Sequence, residues 1–78
     1  MELQEILDQL KAIAWLDEEH GLIHIDDSFM DAIGEEYDYD FLEAYIADHP
    51  MEYAYHILEY LEDTHPDLPM LKAALDAL

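Results

Sequence analysis

Five histidines stand among 21 acidic residues and two lysines in a chain of 78, with no cysteine and no arginine. Two carboxylate–histidine pairs, Asp17-x-x-His20 and Glu62-x-x-His65, have the spacing that di-iron bundles place on one helix face. Such a centre needs two further facing glutamates. Glu62 to His65 also runs into Pro66, outside any bundle core, so these histidines read as solvated or capping groups. His20-x-x-x-His24 contains Gly21, and the two rings need not share a face. A calcium loop needs Gly at its sixth position and Glu at its twelfth. Counted from Asp26, those positions hold Asp31 and Tyr37; counted from Asp27, the sixth is Ala32. Paired carboxylates can do acid–base work, but among this many acids pairs are unavoidable. The only hydroxyls outside tyrosine are Ser28 and Thr64, and no arginine exists to clamp an anionic substrate. No catalytic residue, metal site or cofactor is expected.

The chemistry left is that of charge and aromatic surface. From Ala12 to Leu71 there is no Lys or Arg, while Asp and Glu recur throughout. The acids are densest between Asp26 and Glu43. Apolar and aromatic residues are threaded between them, which an acidic disordered tail lacks. The candidate partner-binding residues are Asp26, Asp27, Asp31, Glu35, Glu36, Tyr37, Asp38, Tyr39, Asp40 and Glu43. Tyrosine is enriched at binding hot spots, so Tyr37 and Tyr39 are the anchors that charge alone does not supply. Tyr53 and Tyr60 are placed on the rim and Tyr45 in the core.

These residues must be positioned by helices. Leu3, Ile6, Leu7, Leu10, Ile13 and Ala14 recur at helical spacing and predict an amphipathic helix over about residues 2–19, its apolar face widened by Trp15 and Leu16. His20-Gly21 ends it. Leu22-Ile23-His24-Ile25 reads as an extended linker, or as a strand pairing across a dimer. Ser28 is the expected cap of a short second helix that buries Phe29, Ala32, Ile33 and Tyr37 and ends near Gly34. Asp38 or Asp40 caps a third, with Phe41, Leu42, Tyr45 and Ile46 on one face. Pro50 opens a fourth that runs to Asp63 on a stripe of Met51, Ala54, Ile57, Leu58 and Leu61. A fifth, with Pro69 in its first turn, buries Leu68, Leu71, Ala74, Leu75 and Leu78. The expected fold is all-α: one domain over residues 1–78, a compact bundle of four or five short helices.

Composition sets the outer bounds. Size scaling gives a radius of gyration of about 11–12 Å and a surface of about 4,900 Å². A net charge of −19 then places one uncompensated charge on roughly every 250 Å². Solubility in a small domain needs only about 2–8 net charges, and growth in high salt is the general alternative source of such acidity. Duplex DNA carries one charge per roughly 1.7 Å, so nineteen charges match roughly 32 Å of duplex. Direct binding to nucleic acid or an anionic membrane is opposed, and a basic protein surface is favoured. No apolar run approaches the roughly 20 residues of a membrane span, and Met-Glu-Leu-Gln-Glu is no secretory signal. A cytoplasmic monomer or homodimer is expected.

In size, charge and helical pattern the chain resembles the small acidic inhibitors made by phages and mobile elements, among them DNA-mimic anti-CRISPR and anti-restriction proteins. The resemblance covers the whole chain and is compositional. It implies a non-enzymatic blocker that occupies the nucleic-acid-binding groove of a host defence protein, such as a Cas subunit, restriction enzyme or nuclease. Two other classes share the composition: an immunity protein that neutralises a basic nuclease toxin, and an acidic adaptor subunit. The Asp-x-Ile-Tyr-Tyr-Pro motif of colicin immunity proteins is absent; the nearest stretch is Tyr53-Ala54-Tyr55-His56-Ile57.

Overall fold

Leu3, Ile6, Leu7, Leu10 and Ala14 lie along one side of a helical wheel, and in the computed structural model, which describes all 78 residues, they sit on the inward face of α1 (Leu3–Leu16). Four further helices follow: α2 (Leu22–Ala32), α3 (Tyr39–Asp48), α4 (Pro50–Leu61) and α5 (Leu68–Asp76). The all-α expectation holds. The Cα radius of gyration is 11.9 Å and the surface 5124 Å², close to the scaling values. No helix is long and apolar enough to cross a membrane.

The helix α4 is the hub, packed against each of the other four. Its buried side chains are Tyr53, Ala54, Ile57, Leu58 and Leu61. Ile6, Leu7 and Leu10 meet them from α1, Ile25, Phe29 and Met30 from α2, Leu42 from α3, and Leu68, Leu71 and Leu75 from α5.

Several boundaries and burials differ from expectation. The first helix stops at Leu16, where the Asp17 carboxylate accepts the His20 backbone N–H at 2.7 Å and turns the chain. Trp15 and Leu16 are 73% and 81% exposed, so they do not widen the buried face. Leu22–Ile25 is neither linker nor strand; it is the first turn of α2, and Ser28 lies mid-helix. Packing decides this: Ile25 is fully buried against the core, and tertiary burial overrides β-branched propensity. Ala32, Phe41, Met51 and Leu78, all expected inside, are exposed; Tyr37, read both as buried on the second helix and as a partner-binding anchor, is exposed as well. Tyr45 and Ala74 are half-buried at the core's edge.

The turns are built by local chemistry. Gly34 adopts φ +80° and closes α2 in a Schellman arrangement, with Glu35 N–H donating to the Met30 carbonyl at 3.0 Å and Gly34 N–H to that of Asp31 at 3.1 Å. Asp38 caps α3, its carboxylate accepting the backbone N–H groups of Asp40 at 3.0 Å and Phe41 at 3.2 Å. His49 ends α3 and precedes Pro50, which opens α4. The fourth helix ends at Leu61, two residues short of expectation, on Glu62 at φ 52°.

Candidate functional site

The Schellman turn at Gly34 and the cap at Asp38 hold the segment between α2 and α3 in a defined path. Glu35, Glu36, Tyr37, Asp38 and Phe41 line one shallow hollow of about 390 Å³. Tyr37 is 45% and Tyr39 64% exposed. Phe41 stacks on Tyr45, with ring centroids 6.2 Å apart, and Tyr45 stands edge-on to Phe29 at 5.6 Å. Phe41 therefore rests on rings that reach the core. Desolvation, then the charges of Asp26, Tyr39 and Asp27, raise the Tyr37 pKa. Its hydroxyl stays protonated at neutral pH and can donate as well as accept.

Nine of the ten expected partner-binding residues are exposed: Asp27, Asp31, Glu35, Glu36, Tyr37, Asp38, Tyr39, Asp40 and Glu43. Asp27 and Asp31 follow one another at i, i+4 on α2, and Asp40 and Glu43 at i, i+3 on α3. Asp38 has a structural duty as the α3 cap.

Asp26 is the correction. It is buried, and it accepts a 2.6 Å hydrogen bond from the Tyr53 hydroxyl, 27 residues away. Burial is the leading influence on Asp26 and raises its pKa, against the Tyr53 bond and the charges of Lys11 and His56. Tyr53, expected on the rim, is 1% exposed, and burial followed by the Asp26 bond raises its pKa far above the ordinary phenol value. Lys11 lies 5.7 Å from the Tyr53 ring centroid. This α1–α2–α4 polar contact was not anticipated from sequence. The available signal was the register Leu22, Ile25, Asp26, Phe29, which places Asp26 on the buried stripe once α2 begins at Leu22.

The histidine pairs serve turns. His20 Nδ1 lies 3.2 Å from Asp17 Oδ1, and the His20 backbone N–H first, with the ring as a lesser cause, holds the Asp17 carboxyl below its usual range. His65 Nδ1 accepts the Asp67 backbone N–H at 3.1 Å. No group of three or more His, Asp or Glu side chains is arranged to hold a metal ion.

Both lysines are engaged internally, Lys11 at Tyr53 and Lys72 at Asp76 over 3.1 Å. Asp76 also accepts from the Tyr55 hydroxyl, and the Tyr55 bond, followed by that of Lys72, lowers its pKa. No family model matches the chain, and neither a curated protein nor a solved structure matches it.

Proposed function

We propose that the protein is a non-enzymatic inhibitor that presents a DNA-like charge array to a basic nucleic-acid-binding protein and blocks that protein's binding surface. The observation that carries this reading is linear charge density. Nineteen net charges are borne on a body whose longest Cα extent is 32 Å, one charge per about 1.7 Å, the value for duplex DNA. With both lysines engaged internally, little positive charge interrupts the array. The exposed acids between Asp27 and Glu43 supply carboxylates in place of phosphates, and Tyr37, Tyr39 and Phe41 supply apolar contact. The targets with matching chemistry are a Cas subunit, a restriction enzyme or a nuclease, encountered in the host cytoplasm.

Gel shifts test the reading. The protein alone forms no complex with duplex DNA or RNA, and adding it to a DNA-binding target captured from host lysate reduces that target's shift. Reversing Glu35, Glu36 and Asp40 together to Lys abolishes the inhibition. Asp38 is left intact because it caps α3. The matched control reverses Glu2, Glu5 and Asp8, which lie outside the stretch. Tyr39→Ala costs about 2 kcal/mol of binding if the ring is a hot spot, more than any single rim acid at about 0–1 kcal/mol. DNA affinity of the target unchanged at saturating protein overturns the mimicry. Equal losses from the two reversals mean that total charge, and no particular face, carries the activity.

A further inference from the structure

A second concave surface lies between α4, α5 and the end of α2, in a groove of about 760 Å³ that shares no lining residue with the hollow at Tyr37. Its floor is apolar: Phe29, Leu58 and Leu68 reach it from the core, and Ile33 and Pro69 extend it. Its rim is acidic, with Glu52, Glu59, Glu62 and Asp63 on the α4 side. The single rim cation, Lys72, is bound to Asp76. His56 also lines the groove, and burial lowers its pKa, so the imidazole adds no positive charge beneath it at neutral pH.

Charge complementarity selects the occupant. A second copy of the chain would bring −19 against −19, and nucleic acid or an anionic membrane meets the same repulsion. What fits is apolar on one side and cationic along its flanks. The rim follows α4 from Glu52 to Glu59, which at 1.5 Å per residue is about 10 Å, or two helical turns, and Glu62 and Asp63 continue it past the end of the helix. That length matches a helix laying anchors at i, i+4 and i+7 into a groove.

We infer that the groove between α2, α4 and α5 docks an amphipathic basic helix of a protein partner, its apolar side chains over Phe29, Leu58 and Leu68 and its Lys or Arg residues against Glu52, Glu59 and Asp63. The inference stands apart from the mimicry reading, because it uses other residues.

The probe is a labelled synthetic helix of about three to four turns, with Leu at i, i+4 and i+7 and Lys on the flanks. One control scatters the same residues around the helix, and a second replaces Lys with Glu. Fluorescence anisotropy should show the facial Lys peptide binding at least about tenfold tighter than either control. Ala32→Trp, at an exposed lining position, should fill the groove and weaken binding by at least about tenfold while the helical circular dichroism is unchanged. Reversing Glu59 and Asp63 to Lys should slow association. Reversing Glu35, Glu36 and Asp40 should leave it within about twofold, so failure here and failure of the mimicry read out separately. Methyl chemical shifts of wild-type Ile33 and Leu58 on titration provide a second readout, independent of how the variants fold. Equal binding of the scattered peptide, displacement by spermine at equal charge, full binding to Ala32→Trp, or unmoved Ile33 and Leu58 methyls would each overturn the inference.

Discussion

Asp26 and Tyr53 form the one buried side-chain hydrogen bond that ties α2 to α4. Removing the donor strands a buried carboxylate, which costs about 1–3 kcal/mol. Tyr53→Phe should therefore lower stability by about that much near neutral pH, measured by urea denaturation. Asp26→Asn keeps an acceptor, removes the buried charge and should cost less. Linkage fixes the pH dependence. The folded-state pKa of Asp26 is raised above 3.8, so its contribution is fully present below 3.8 and is lost as pH rises through the folded value. His56 acts in the opposite sense: its folded pKa lies below 6.5, so its contribution is present above 6.5 and is lost as pH falls through the folded value. Asp26→Asn should erase the gain in stability that is complete below 3.8, and His56→Leu the loss that sets in below 6.5. A wild-type profile that both variants reproduce would refute these assignments. At Asp26 the leading cause of the acid-side gain is burial, which no residue count along a chain can report.

Among the helices, Glu62 is the outlier. It ends α4 at φ 52° and ψ −131°, and it is the chain's only non-glycine residue with positive φ. Holding a side-chain residue in such a region costs about 1–3 kcal/mol. Glu62→Gly should raise stability by about 1 kcal/mol, seen as a higher urea midpoint with an unchanged slope; a lower midpoint would show that the carboxylate repays the strain. The number and order of helices were legible because each carries an apolar residue every three or four positions, and because Asp38, Pro50 and Pro69 mark helix starts by local chemistry. The start of α2 was not, for Gly21 and the β-branched Ile23 and Ile25 look extended until the burial of Ile25 is known. The same shift of register that recovers α2 moves Asp26 from the surface to the core. The groove between α2, α4 and α5 was also out of reach, since its floor and rim come from three separate segments. By contrast, the acids of the Glu35–Asp38 hollow lie within one segment and could be read directly, whereas its rings, Tyr37 and Phe41, fall at helical spacings that read as buried and are exposed.

At the scale of the molecule, self-repulsion opposes the compact state. Nineteen net charges on 5124 Å² stand about 16 Å apart on average, inside the Debye length of about 30 Å at 0.01 M salt and beyond that of about 10 Å at 0.1 M. The melting temperature should rise as salt increases from about 0.01 to 0.5 M, because screening relieves the compact state more than the expanded one. A flat or falling trend would show that the acids are already compensated. Size and charge were predictable from composition alone, since both follow from chain length and residue counts; how the charge is distributed depends on which acids folding turns inward.

The two lysines, one inside α1 and the other inside α5, bear on how a target will be found. Trypsin cuts only after Lys or Arg, so this protein offers it two bonds, both within helices. In its folded state it should persist through a digestion that shreds an ordinary partner, and once unfolded it should still release residues 12–72 as one piece. Mass spectrometry keyed to short tryptic peptides would identify whatever this protein holds and overlook the protein itself, whereas cleavage after Asp or Glu reverses that bias.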